Sequence, residues 1–547
     1  MVVKWRLTMK IKRVLINNFK CFKNLNIELN DFSIVVGDNG TGKSTFLEAI
    51  HLALTGYYRG KLIIGNISQD IFNKESVDKY LEKVNSNEKI ELPEISIEVF
   101  FDDCPIMRGD FNSTKSSADG FKFLIQYDER NADSYKELLN GKILSTLPFE
   151  FYKCEWITFA RKYYTNSKSI DFKSAYLETK VERYGEFFVS KIIRNYIDDT
   201  NKINLNQKYR DLANGLKNDE SLSKINEMIN ENEYLKQKNV SIGITNSSQN
   251  VWEEIITLNK DDIPYSNIGT GNQCIVNTVL SFENEVFKNK GIILIEEPEN
   301  HLSGMNLNIL LNYIKENVKE HQVIITTHSS YVLNKLGMKN LLMFSSSNSI
   351  KFEDLSNDTE HYFEKLSGFD TLRFILCKKA FLVEGDSDDL IIQRAYLDKY
   401  AKLPIDDGIE IIKTGLAYDR FLQLAKELKI RTVLITDNDG NIDKIETIKK
   451  KYLNCNWIKI YSGNKVYSHG ECKFSIEKVP NINTLEPELF RANNLEILNE
   501  IFSKSYSKDE DLVRYMISNK TEVAWKIFNS TKKIKYPQYI NEAITDE

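Results

Sequence analysis

The 547-residue sequence predicts an α/β protein made of two successive α/β assemblies, the first interrupted by a helical insertion. Three observations carry that expectation. A glycine-rich loop, Gly37-Asp38-Asn39-Gly40-Thr41-Gly42-Lys43-Ser44, follows the apolar run Phe32–Val36 and opens a segment with apolar residues at three- and four-residue spacing. A second apolar run, Ile292-Ile293-Leu294-Ile295, ends in Glu296-Glu297. Beyond residue 345, two further apolar runs end in acids: Ala380–Val383 before Glu384-Gly385-Asp386-Ser387-Asp388-Asp389, and Thr432–Thr436 before Asp437-Asn438-Asp439-Gly440.

The elements follow in order. Arg13–Phe22 and Leu25–Gly37 read as strands, Lys43–Leu54 as a helix, and Glu94–Asp103 with Phe121–Glu129 as part of an inserted β-meander. From about 168 the composition turns polar and charged. Runs such as Ala175–Ile197 and Leu222–Lys238 predict helices, either packed on the head or forming a dimerising arm. Strands return near 251, and the turn-rich stretch 345–358 reads as a linker. The expected boundaries are 1–167 and 246–350 for the two parts of the first assembly, 168–245 for the insertion, and 351–547 for the second.

Composition agrees. The chain is 28% charged and 41% hydrophobic, long enough for about three or four domains, and its net charge of −5 argues against a uniformly basic DNA-coating protein. Seven cysteines without a CxxC pair point to scattered reduced thiols rather than a zinc site. No apolar run approaches a membrane span, so a cytoplasmic protein without membrane contact is expected.

The loop predicts an ATP site. Glycines at 40 and 42 let backbone N–H groups, with Asn39 and Thr45 beside them, surround phosphates. Lys43 then bridges the β- and γ-phosphates, and the Ser44 hydroxyl ligates Mg²⁺. Glu296 supplies a carboxylate to the same ion, Glu297 orients the attacking water, and His328, after the run Val323–Thr327, is placed for the γ-phosphate.

These segments resemble the ABC-type ATPase head of the SMC and RecF group over about 10–60 and 266–345. The resemblance implies a nucleotide sandwiched between two heads, hence a homo-oligomer, dimer or tetramer. Its signature loop maps onto Ile268–Gln273, with Gly271 at the start of a helix whose free N–H groups suit phosphate. Glu296 stands where an aspartate is usual, and the loop departs from the familiar serine-glycine-glycine form; both imply slow hydrolysis. Gln69 and Gln126 both remain open as the Q-loop glutamine.

Carboxylates just past buried strand ends suit divalent metals. An isolated acidic cluster such as 384–389 could simply open a helix, but that does not predict a DxD at the end of a later strand. Glu384, Gly385 and the Asp437/Asp439 pair resemble a Toprim domain, which implies Glu384 as ligand or general acid/base and Asp437 with Asp439 as metal ligands. Asp388 is the further ligand, with Asp389 the alternative. An ABC-type head followed by Toprim resembles the OLD (overcoming lysogenization defect) nuclease family, including the nuclease subunit of Gabija-type anti-phage systems. That family implies Lys520 as stabiliser of the developing phosphorane charge and Glu486 as a further acidic ligand. Two Mg²⁺ or Mn²⁺ ions would be shared, one by Glu384 and Asp388, the other by Asp437 and Asp439. The expected protein is an ATP-binding DNA endonuclease or nickase, acting alone or beside a helicase or a reverse transcriptase with its RNA–DNA product. The second reading is an SMC/RecF-like repair or chromosome-structure ATPase whose Toprim domain only binds DNA.

Overall fold

A computed structural model describes residues 9–546 apart from 87, 89–90, 140–142, 168–171, 178–196, 198, 218, 233–235, 239, 241, 243–257, 285–286, 288–290, 301, 338–339, 346–347, 352–369 and 469–480. The chain is mixed α/β and divides into two compact units. One comprises Met1–Val35, Asn39–Thr327 and Ser346–Ser349; the other comprises Val36–Asp38, His328–Ser345 and Ile350–Glu547. No described helix is long and apolar enough to cross a membrane.

In the first unit, Ile11–Phe19 and Phe22–Glu28 pair antiparallel, Val14 opposite Ile27 and Ile16 opposite Leu25, which stacks apolar partners across the strands. They extend a meander that runs through Ile95–Phe101, Ala118–Tyr127, Tyr152–Thr158 and Tyr163–Tyr164. The run expected as one strand over Leu25–Gly37 is two strands in two sheets. Asn30 and Asp31, both turn formers, break it, and the Asn30 N–H finds the Ser33 hydroxyl at 3.3 Å instead of a ladder partner.

The second sheet has six strands, of which the neighbours Lys173–Leu177, Gly291–Glu296, Gln322–Thr326 and Phe32–Gly37 run parallel. Its central strands are continuously apolar, as burial on both faces demands. The Lys43–Thr55 helix is buried on nearly every side. Its last carbonyls are satisfied from outside: the Trp156 indole donates to Ala53 O (2.7 Å), Ser167 Oγ donates to Thr55 O (2.6 Å), and Gly56 closes the helix in a left-handed conformation.

One helical expectation is corrected. Residues 175–177, expected to open a helix, lie in the Lys173–Leu177 edge strand, where Ala175 and Leu177 are buried against the sheet. Tertiary pairing with Gly291–Glu296 outweighs local propensity there. Of the insertion, helices Asp199–Lys217 and Glu220–Asn230 are described; most of the Ala175–Ile197 run lies outside the described residues. So does most of the expected linker, of which Asn348–Lys351 forms a strand.

The second unit holds a four-stranded parallel sheet in the order Ile409–Lys413, Lys379–Val383, Arg431–Ile435, Ile458–Tyr461. Helices Asp386–Tyr400, Tyr418–Leu428 and Ile442–Lys451 connect the strands. Beyond the sheet five helices are described, Leu485–Ala492, Leu495–Phe502, Asp509–Ser518, Lys520–Asn529 and Gln538–Thr545. Leu489, Leu498, Met516, Val523, Ile527 and Ile540 bring them into one core with Phe381, Ile391 and Val433. Arg394, itself buried, clamps this lobe. Its Nη1 donates to the carbonyls of Ile527 (2.9 Å), Phe528 (3.0 Å) and Ser530, and its Nε donates to Asp398 (2.9 Å). The clamp satisfies the orphan carbonyls that end the Lys520–Asn529 helix.

Candidate functional site

The glycine-rich loop leaves its strand and turns through Gly40 (φ 81°) and Gly42 (φ 99°), in the left-handed region. Gly42 has a second reason to lack a side chain. A Cβ there would lie 2.5 Å from the Phe22 ring and 2.7 Å from Cys21 Sγ. The hairpin turn thus presses on the loop and fixes the start of the helix. Lys43 is the first helical residue and is buried; Ser44 follows, and Thr45 is also buried.

The Ser44 hydroxyl donates to Glu296 Oε1 at 2.5 Å. The structure therefore joins the two expected magnesium ligands, which are 252 residues apart in sequence. Glu296 is 3% exposed, and its other oxygen accepts from the Tyr176 hydroxyl at 2.6 Å. Glu297 adopts φ 43°, a left-handed conformation costing a non-glycine residue about 1–2 kcal/mol. Three bonds hold it: its N–H donates to Thr326 O (2.9 Å), Asn300 Nδ2 donates to its Oε2 (2.6 Å), and the Asn300 N–H donates to its carbonyl (3.0 Å). The strain falls on an acid next to the buried Glu296. His328 lies two residues past the Gln322–Thr326 strand and is partly buried. Gly271 is the second residue of the Thr270–Glu283 helix, so the expected glycine lies at a helix start. Gln69 accepts from the Leu147 N–H (2.6 Å) and Gln126 donates to Glu155 (2.7 Å); both side chains bond within the inserted sheet and its loops.

In the second unit, the carboxyl ends of two adjacent central strands carry the acids. Glu384, Asp437 and Asp439 each offer an oxygen within 4.8 Å of the others. Backbone contacts hold them there. The Gly415 N–H, at φ 56°, donates to Glu384 O (3.1 Å), and the Leu485 N–H donates to Asp437 Oδ2 (3.2 Å). Asp439 takes a left-handed φ of 46° and accepts from Asn481 (3.0 Å). Asn438, between them, is buried. It donates to Gly463 O (3.0 Å) and Lys465 O (2.9 Å) and accepts from the Gly440 N–H (2.9 Å), bracing the loop from below. Sequence reading passed over Asn438, although an amide between two aspartates at a strand end was a usable signal.

Asp388 lies outside the triad; its Oδ2 accepts from the Gly385 N–H at 3.1 Å. Glu486 is buried, with Thr484 Oγ1 at 3.3 Å and Lys520 Nζ at 3.5 Å from its Oε2. The structure thus brings together the two residues expected from the carboxyl-terminal region. Lys520 opens its helix and is half exposed.

The donor set fits a divalent cation. Asp437 Oδ1 is buried and has no hydrogen-bond partner among the described residues, an expensive arrangement for a carboxylate unless a cation completes it. Burial pushes the Asp437 carboxyl up to about 8, with Asp439, Glu384 and Asp388 adding repulsion and the Leu485 N–H opposing. Burial pushes Asp388 up to about 7; the Gly385 N–H opposes, and Glu384 and Glu486 add to the rise. Glu486 is raised by burial too, with Lys520 pulling it back.

A carboxyl raised above its unfolded value of about 4 keeps a proton in the folded state that the unfolded chain has lost. Folding then takes up protons, and stability falls as pH rises from about 4 through 8. Without metal, the protein should unfold at lower urea near about pH 8.5 than near about pH 5.5. Mg²⁺ or Mn²⁺, which bind the deprotonated carboxylates, should narrow that gap. Urea midpoints at both pH values, in chelator and in metal, measure the effect.

The chain matches the family model described as RecF/RecN/SMC N terminal domain over residues 10–351. It matches that of the overcoming lysogenization defect protein-like TOPRIM domain over residues 375–439. It is 22% identical over 565 residues to endonuclease GajA of Bacillus cereus, covering 97% of this chain and 93% of that protein. To the OLD nuclease of Thermus scotoductus it is 33% identical over 104 residues, 19% of this chain and 16% of that one. Among solved structures, the ATP complex of the recombination mediator RecF aligns with 63% of this chain and 100% of its own, at 13% identity and a TM-score of 0.34.

Proposed function

For a chain that belongs to the RecF/RecN/SMC N-terminal domain family and carries an OLD-like Toprim domain, we propose an ATP-binding, divalent-metal-dependent DNA endonuclease or nickase serving anti-phage defence. Nucleotide state sets its cutting. The observation that carries the nuclease reading is the Glu384, Asp437 and Asp439 cluster, with one buried Asp437 oxygen lacking any partner among the described residues. Divalent cations, when bound, supply the charge that lowers the pKa of water and neutralises a leaving oxygen.

The remaining work falls to the chain's own residues. Asp437 and Asp439 hold the cation side of the site, braced by Asn438. Glu384, exposed at its strand end, accepts the proton of the attacking water. Lys520, beside Glu486, faces the charge that builds on the phosphorus oxygens as the new P–O bond forms and the old one breaks. For the nucleotide, Lys43 holds phosphate, Ser44 and Glu296 hold magnesium, and Glu297 orients water. Gly271 on a second copy completes the nucleotide site, which calls for a dimer or a tetramer. A helicase or a reverse transcriptase with its nucleic acid are the partner classes this reading admits.

The test is plasmid cleavage by the purified protein in Mg²⁺ and in Mn²⁺. Nicked or linear product that disappears in chelator is the expected result. Intact plasmid beside normal ATP turnover would favour the reading in which the Toprim domain only binds DNA.

A further inference from the structure

Glu296 has one more rotatable bond than an aspartate would, so something must hold its longer side chain in register. The structure offers a specific group. Tyr176 sits on the edge strand Lys173–Leu177, in register with Leu294 of the neighbouring strand. Leu294 and Glu296 are two residues apart and share a face of that strand. A tyrosine beside Leu294 therefore reaches diagonally to Glu296, and its hydroxyl donates to Oε2 at 2.6 Å. The opposite oxygen, Oε1, is the one that meets the Ser44 hydroxyl at 2.5 Å.

The tyrosine is itself fixed by the helix that starts at Lys43. Its ring lies 5.5 Å from that of His51, and His51 Nδ1 is 2.8 Å from the hydroxyl of Ser174, two residues before Tyr176 on the same face. Phosphate loop, helix, edge strand and acid thus form a closed circuit: Ser44, His51, Ser174 with Tyr176, and Glu296.

We propose that Tyr176 is a positioning residue for the nucleotide-bound magnesium. By holding Oε2 it turns Oε1 of Glu296 toward Ser44, so that both ligands face one cation. The proposal rests on the ATP-binding reading, and it assigns the selectivity to magnesium rather than to the nucleotide.

Tyr176→Phe removes the hydroxyl and keeps the ring. With a fluorescent ATP analogue, affinity in chelator should stay within about twofold of wild type, because Lys43 and the loop backbone are untouched. The Mg²⁺ concentration that gives half of the magnesium-dependent gain in affinity should rise about tenfold, the weight of a hydrogen bond to a charged group. Glu296→Asp, whose carboxylate falls short of the tyrosine, should raise the magnesium requirement by itself, and adding Tyr176→Phe to it should change little further.

The proposal is overturned if Tyr176→Phe leaves the magnesium requirement unchanged, lowers affinity equally in chelator, or acts as strongly on the Glu296→Asp background. Should Tyr176→Phe fail to fold, as thermal unfolding will reveal, Glu296→Asp alone decides: an unchanged magnesium requirement overturns the idea. Wild-type protein that binds no nucleotide would defeat the ATP-binding reading itself, a different outcome from a silent tyrosine.

Discussion

Asp437→Asn should slow DNA cleavage by at least about a thousandfold while leaving ATP binding unchanged. The amide keeps the shape of the carboxylate and can still accept from the Leu485 N–H, but it brings no charge to a cation. Glu384→Ala should fall as far. The usual objection to such losses is misfolding, and here the electrostatics separate the two explanations. Three carboxylates crowd within 4.8 Å, and burial with mutual repulsion already raises Asp437 to about 8. The amide removes the cost of ionising a buried acid, so Asp437→Asn should unfold in chelator at the same urea concentration as wild type or a higher one, the gain largest above about pH 8. A dead but stable variant supports the metal reading. Full cleavage by Asp437→Asn, in protein cleared of contaminating nuclease, defeats it.

The second large effect lies in the nucleotide unit. Lys43→Ala should lose ATP binding, since Lys43 is the buried first residue of the phosphate-loop helix and carries the charge that faces the phosphates. Glu297→Gln should bind ATP normally and turn it over about a hundredfold more slowly, because the amide keeps the size of the acid but cannot take a proton from water. The Asn300 contact holds the side chain in the same strained backbone setting in either case. One variant is thus locked empty and the other locked full. If nucleotide state gates the nuclease, their cleavage rates should move in opposite directions at millimolar ATP, since a ligand shifts an equilibrium only by its unequal affinity for the two states. Equal, wild-type rates across an ATP titration would show the sites to be independent.

The parts that could be read from the sequence were those where chemistry dictates residue type at short spacing. Glycine positions in the phosphate loop follow from φ values of 81° and 99°, and acids at strand ends follow from continuous apolar runs before them. What escaped depends on partners far away in the chain. Ala175–Leu177 reads as the start of a helical run because only the strand at Gly291–Glu296, more than 110 residues later, gives it a reason to extend. Tyr176 escaped for the same reason: nothing near it in sequence hints at an acid. The carboxyl-terminal helices are eight to ten residues each, too short for their apolar spacing to stand out, and become evident only through a shared core.

The guanidinium of Arg394 gives that lobe a temporal meaning. Synthesis runs from the amino end, so the loops bearing Glu384 and Asp437 leave the ribosome well before Lys520, and the carbonyls that Arg394 grips arrive later still. Until they do, Arg394 keeps only Asp398 of the partners it has in the folded chain, and the helices beyond residue 485 cannot close their core around Ile391 and Val433. A half-made chain therefore carries the acidic loops without Lys520 and without the Leu485 N–H that steadies Asp437. The acidic loops and the groups that complete them are therefore joined only once the carboxyl-terminal helices have folded.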